Sequence, residues 1–405
     1  MPIRIAITSI RHAAFCAAFA VACGGLPALS VAADPVAADP TPVFRTLHVF
    51  DAGAEGSGPR GLIQASDGNL YGVTRTAGPF RRGTLFRMIR DHDRTVEVLH
   101  EFGAFADDGQ FPYGTLVEAS DGNFYGTTTA GGTAGYGTIY RYAPDGTYTI
   151  LYSFGNIPDG QQPFAGLIQA SDGRLYGTAF NGGTGLDGGT VFRMSLDGSD
   201  FSVLHHFQVD DGYLPAAELV EAQDGLLYGT TTSGGARRKG AAFSVSTDGV
   251  FTLLHSFTDA DGTDPRAPLF QVSNGQFFGT TLVDGPNGAG TVFRMTPKGK
   301  VTVVHAFGAF VGDGMYPASG LLDPGDGYLY GTTLLGGRGP RCTPGDCGVV
   351  YRIARDGTET ILHAFTSTGT GARPDTGLIR IDHRGLVGTS QGDGGTIFGL
   401  RETLP

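Results

Sequence analysis

A chain of 405 residues with 28 basic and 39 acidic side chains carries a formal charge of −11. That balance excludes non-specific nucleic-acid binding, whose affinity comes from Lys and Arg neutralising phosphates. Its 67 glycines stand well above the usual share of about 7 %, yet 27 Phe and 15 Tyr are too many for a disordered Gly-rich linker, so the composition points to many short strands joined by tight turns.

Residues 1–33 read as an export signal: Arg4 and Arg11 supply a positive start, Ala13 to Val21 is apolar apart from Cys16, and small residues surround Ala33. Removing them leaves 26 basic against 39 acidic residues, a net charge of −13. Lipid attachment at Cys23 is the alternative, on the weak match of Ala20-Val21-Ala22-Cys23-Gly24 to a lipoprotein signal. Residues 34–43 read as a linker. Beyond them no stretch approaches the roughly 18–20 uninterrupted apolar residues that span a bilayer. The expected product is a secreted or periplasmic monomer with no transmembrane span.

From residue 44 to 405 the chain repeats. An aromatic-Gly step recurs at Tyr71, Tyr125, Tyr176, Tyr228, Phe278 and Tyr330, and degenerately at Val387, spaced by 54, 51, 52, 50, 52 and 57 residues. Each copy is followed by a second landmark such as Gly83-Thr84-Leu85-Phe86 or Gly189-Thr190-Val191-Phe192. A third, aliphatic-His-x-Phe, carries His48, His100, His205, His255, His305 and His363, with Leu151-Tyr152-Ser153-Phe154 as the seventh copy. The fourth is an apolar run such as Gly61 to Ser66, ahead of turns such as Asp67-Gly68 or Asp121-Gly122, whose Gly supplies the positive φ of a tight hairpin. Four strands per module of about 52 residues predict an all-β, seven-bladed β-propeller with four-stranded antiparallel blades. We letter the strands A to D from axis to rim. The chain opens on a D strand, Phe44 to Phe50, while blade seven has no D strand of its own, so the N-terminal strand is expected to complete that blade and remove two unpaired edges.

Asp121 to Thr128 with Gly131-Gly132, and Asp172 to Thr178 with Gly182-Gly183, resemble the GloVer (Gloeo_Verruco) tandem-repeat family, whose modules run Asp-Gly-x-Leu-Tyr-Gly-Thr-Thr, Gly-Gly, Gly-Thr-Val-Phe. The resemblance covers nearly all of residues 44–400; Asn274-Gly275 with Phe278, and His383-Arg384 with Val387, depart from it. It implies an exported propeller-like protein and no particular reaction.

Histidines that recur once per blade at the rim are too far apart for two of them to share an ion, and read as structural. His92, His206 and His383 match no nucleophile or zinc spacing. The D-to-A loops are acidic, and Asp259, Asp261 and Asp264 are the best candidates for oxygen ligation of Ca²⁺; the competing reading is a tight turn in which Asp bonds its own backbone. Three basic clusters interrupt the B-to-C loops: Arg81 with Arg82, Arg237 with Arg238 and Lys239, and Arg338 with Arg341. Their guanidiniums suit a carboxylated or sulfated glycan, against the alternative of solvated loops. Cys342 and Cys347 are expected to form a disulfide that stiffens the longest of these loops. The function expected is non-catalytic binding of an anionic glycan or a surface partner; the alternative is a lyase-type polysaccharide-active enzyme with its site at the axial mouth, where an Arg would neutralise a uronate and a Tyr or His would act as base.

Overall fold

The computed structural model describes residues 42–401, apart from 156, 186, 338–346, 367–370, 383–384 and 393. The export segment, Cys16 and Cys23, Arg338 and Arg341, Cys342 and His383 lie outside the described residues. No helix forms among the described ones.

Seven antiparallel sheets follow one another in sequence order. Blade one is built from Ser57–Gln64, Leu70–Thr76, Thr84–Met88 and Val96–Glu101, and the others repeat this order. In blade six strand A is reduced to a bridge between Leu322 and Tyr330 beside three full strands. Blade seven contains Ile379–Arg380, Gly385–Ser390 and Thr396–Arg401, and takes its fourth strand, Val43–Val49, from the N-terminus. There Thr46 lies opposite Phe398 and Val49 opposite Thr396. The ring therefore closes by the expected three-plus-one arrangement.

Blades pack face to face through alternating apolar residues, so the core is distributed among seven seams. The seam between blades three and four, for example, holds Tyr176, Val191, Phe207, Leu227 and Phe243. The repeated polar residues serve the same packing. In Tyr-Gly-Thr the hydroxyl of Thr127 donates to the carbonyl of Ala165 in the next blade at 2.9 Å, and Thr389 of blade seven donates to Pro59 of blade one at 3.0 Å. The Asp of each Asp-Gly turn between strands A and B caps the backbone two residues on and accepts the hydroxyl of the Tyr four residues on, as in Asp121 with Asn123 N–H at 3.1 Å and Tyr125 at 2.7 Å. Blade five loses both halves of this bond together, with Asn274 in place of the Asp and Phe278 in place of the Tyr.

In every blade a proline stands three or four residues before the leucine of strand A, the strand nearest the axis: Pro59, Pro112, Pro163, Pro215, Pro265, Pro317 and Pro374. The residue before it has φ between 56° and 61° in blades two to six (Phe111, Gln162, Leu214, Asp264, Tyr316), and is Gly58 at φ 68° in blade one. For a non-glycine residue this left-handed conformation costs on the order of 1–3 kcal/mol. The bend aims the residue after each proline into the channel.

Candidate functional site

The seven residues that follow these prolines are Arg60, Tyr113, Phe164, Ala216, Arg266, Ala318 and Asp375, one from each blade. Together they form the common wall of two axial cavities of about 220 Å³ and 270 Å³. Phe180, Thr232, Leu282 and Leu334, at the ends of B strands, form the outer rim on the face that carries the D-to-A and B-to-C loops. Glycine and alanine at Gly61, Gly114, Ala165 and Ala217 line the deeper part. Backbones meet there: a Cβ on Gly114 would stand 2.2 Å from the amide nitrogen of Gly166 in the next blade.

Arg60, Asp375, Gln391, Tyr113 and Arg75 form one connected set at the mouth. Nη2 of Arg60 donates to Oδ2 of Asp375 at 2.5 Å, which joins blade one to blade seven. The same carboxylate oxygen accepts Nε2 of Gln391. Both charged side chains are about nine-tenths buried, at 10 % and 9 % exposure. Their second polar atoms, Nε of Arg60 and Oδ1 of Asp375, are buried without a hydrogen-bond partner. Burial raises the Asp375 carboxyl above its ordinary range, against the pull of Arg60 and Arg75. The Arg60 guanidinium also lies 3.9 Å over the Tyr113 ring, with Arg75 on that ring at 5.3 Å. Tyr113 meets Phe164 edge-on at 5.1 Å, and Phe164 meets Phe180 at 4.9 Å, so an aromatic arc runs through blades two and three. Across the channel, Arg266 is half exposed and held by Asp264, with Nε at 2.8 Å and Nη2 at 2.7 Å. Lower down, Glu218 accepts the Thr115 amide at 3.1 Å.

The residues singled out from the sequence lie elsewhere. Arg81 and Arg82 are exposed on blade one, and Arg82 packs over Phe111 at 4.9 Å. Arg237 and Arg238 are exposed on blade four, three blades away, while Lys239 pairs with Asp259 at 2.9 Å and Asp284 at 3.6 Å. These two clusters do not converge, and neither lines the axial cavities. The three carboxylates considered for Ca²⁺ turn to three different partners: Asp259 to Lys239, Asp264 to Arg266, and Asp261 to His255 at 3.1 Å. Cys347 is buried and disulfide-bonded.

Asp261 belongs to a pattern that repeats around the rim. In every blade but two and six the D-strand His meets an acid from the loop that follows it: His48 with Glu55 at 2.8 Å, His100 with Asp108 at 3.0 Å, His205 with Asp211 at 3.2 Å and His305 with Asp313 at 3.3 Å, beside His255 with Asp261. Burial alone would raise the Asp108 carboxyl; the hydrogen bond and charge of His100 outweigh it and hold it below the usual value. The ring of the His, or of Tyr152, stacks on an aromatic residue at or next to the start of the next blade's D strand where one is present: His100 on Tyr148, Tyr152 on Phe201, His205 on Phe251 and His363 on Phe44, all at 3.7–3.8 Å. The acidic loops thus tie each rim strand to the mouth-facing segment that leads into strand A.

No helix of the described residues is long and apolar enough to cross a membrane. In structure the chain is similar to the extracellular domain described as that of a hybrid two-component system from B. thetaiotaomicron, with 13 % identity and a TM-score of 0.55 over 90 % of this chain and 43 % of the other. The chain thus spans less than half the length of that match. A gluconolactonase from Xanthomonas campestris aligns at 15 % identity and a TM-score of 0.45, over 90 % of this chain and 92 % of its own. A protein of unknown function from Dyadobacter fermentans aligns at 13 % and 0.48, over 89 % and 99 %. No curated protein matches the chain. The model of the Gloeobacter/Verrucomicrobia repeat matches residues 36–223, 146–344 and 228–403. These three overlapping matches span all seven modules, and the chain belongs to the Gloeobacter/Verrucomicrobia repeat family.

Proposed function

We propose that this is an exported, non-catalytic binding propeller that takes the end of an acidic saccharide into its axial mouth. The observation that carries this reading is the buried Arg60–Asp375 pair, which leaves one donor and one acceptor unpartnered beside the arc of Tyr113, Phe164 and Phe180. A buried polar group without a partner costs about 1–3 kcal/mol, a cost that a bound hydroxyl or carboxylate would relieve. The aromatic arc offers an apolar face for a sugar ring. Arg60 is matched by Asp375 and Arg266 by Asp264, while Arg75 makes no ion pair among the described residues; it supplies the charge for one carboxylate. Each cavity is smaller than the ~300–1,000 Å³ typical of whole-ligand pockets, so a chain end fits better than a chain length.

Titration calorimetry with galacturonate and glucuronate oligomers, and with neutral oligomers of equal length, tests the reading. Acidic oligomers should bind, and Arg60→Met or Tyr113→Leu should weaken them at least about tenfold, the loss expected for a charged or stacked contact. Absence of binding, or binding untouched by both variants, would overturn the reading. An unsaturated-uronate absorbance growing in the same mixtures would replace it with the lyase alternative, in which Tyr113, flanked by Arg60 and Arg75, would be the base.

A further inference from the structure

The seam between blades five and six breaks the rim pattern. The residue facing the D-strand His from the next blade is aromatic at Tyr148, Phe251 and Phe44, and is Val301 at the equivalent position of blade five. In blade six it is Glu359, at the start of Glu359–Ala364, opposite Ile353. His305, Asp313 and Glu359 therefore place one nitrogen and two carboxylates together, with a ligand atom from each within 4.8 Å of the others.

We propose that these three side chains bind a divalent transition-metal ion of the zinc class, clamping blade five to blade six.

Four features support the site. Glu359 has a side chain only 5 % exposed, and neither of its oxygens has a hydrogen-bond partner. The Asp313 side chain is fully buried, and its Oδ2 accepts the Ala309 amide at 2.7 Å, which leaves Oδ1 directed at His305. Nδ1 of His305 stands 3.3 Å from the Gly357 carbonyl oxygen, which can only accept. With the ring proton on Nδ1, the Nε2 lone pair is available to an ion held between the two carboxylates, the second-shell arrangement typical of a metal-bound histidine. Nε2 of His305 and the carboxylate oxygens of Asp313 and Glu359 converge, a donor set that suits a cation. The spacing fits as well: zinc bonds of 2.0–2.2 Å in a tetrahedron place two ligand atoms about 3.3–3.5 Å apart. Nε2 lies 3.3 Å from Oδ1 of Asp313 and 3.8 Å from Oε2 of Glu359, so closing onto the ion needs a shift of roughly half an ångström. An imidazole with two carboxylates favours zinc-class ions over Ca²⁺, which takes six to eight oxygens.

Chelator-stripped chain is titrated with zinc chloride alone by calorimetry, with melting followed in parallel. The expected result is one saturable site and a rise in melting temperature. Glu359→Phe, which restores the aromatic that Phe251 supplies in blade four, should abolish both. Glu359→Gln, nearly isosteric and so able to fold where the larger ring is not accommodated, should weaken the site at least about tenfold, the usual scale for losing a charged ligand. Absence of a saturable site, or zinc affinity unchanged in either folded variant, would overturn the proposal.

Discussion

The seam that closes the ring should be the acid-labile one, and His363 sets the pH. Its ring stacks on Phe44 of the N-terminal strand at 3.7 Å and 5°, and meets Phe365 edge-on. Residues 366–374 contain no Asp or Glu, so His363 lacks the loop acid that its counterparts in other blades use. Burial with no compensating charge lowers its pKa from 6.5 to about 4. Above pH 6.5 the imidazole is neutral in both states, and its contribution to stability is complete. Between pH 6.5 and about 4 the unfolded chain takes up a proton that the folded chain refuses, so stability falls with falling pH. At 1.36 kcal/mol per pKa unit the span amounts to roughly 3 kcal/mol. Because the ring is only half-buried, solvent screening reduces this to roughly 1–2 kcal/mol.

The matching variant is His363→Tyr, since Tyr152 fills the same position in blade two and stacks on Phe201 at 3.8 Å and 10°. Chemical denaturation of both proteins at pH 7.5 and pH 4.5 measures the difference. The wild type should lose about 1–2 kcal/mol more than the variant on acidification. Equal losses would refute the assignment of this acid sensitivity to the closing seam.

Other outcomes follow from the same geometry. Gly114→Ala should destabilise the ring by about 2–3 kcal/mol by urea unfolding, because its Cβ would meet backbone atoms of the next blade. Gly58→Ala meets only Arg75 Cβ at 3.8 Å, and should cost about 1–2 kcal/mol for the left-handed conformation alone. In blade five, a double-mutant cycle of Asn274→Asp with Phe278→Tyr should show a favourable coupling of about 1 kcal/mol, the value of one regained hydroxyl–carboxylate bond. Additive effects in that cycle would mean that the turn acid and the tyrosine do not act as a unit.

The architecture was legible because each landmark of the repeat answers a local demand. The Asp-Gly turns, the Tyr-Gly-Thr strands and the complementary fragments at the two ends identify blades and closure without tertiary information. The residues of the axial mouth stand in the same repeat, though the basic insertions in the loops are the more conspicuous signal. Prolines recur at strand A in every module, and the residue after each runs Arg, Tyr, Phe, Ala, Arg, Ala, Asp. A position that varies chemically inside a constant frame is what a ligand site on a symmetric scaffold requires. The Arg60–Asp375 pair itself was out of reach, since its partners stand 315 residues apart and meet only because the ring closes. The rim acids hold a related lesson: Asp108, Asp211, Asp261 and Asp313 each face a histidine of their own blade across a folded loop, a contact that spacing alone does not reveal. Glu359 shows the limit at its sharpest. Among the variable residues that begin D strands it has no sequence signature, and only the seam reveals what it faces.

Pairing Val43–Val49 with Thr396–Arg401 also imposes an order on biogenesis. The strand made first is the last to find its neighbour. At about 5–20 residues per second, the roughly 350 intervening residues keep it waiting for some tens of seconds. A chain that stops short of Thr396 has no partner for that strand, whereas one that includes Thr396–Arg401 has. Synthesis of the last strand and closure of the circle are therefore one event, and proteases that read exposed strand edges can distinguish closed rings from open ones.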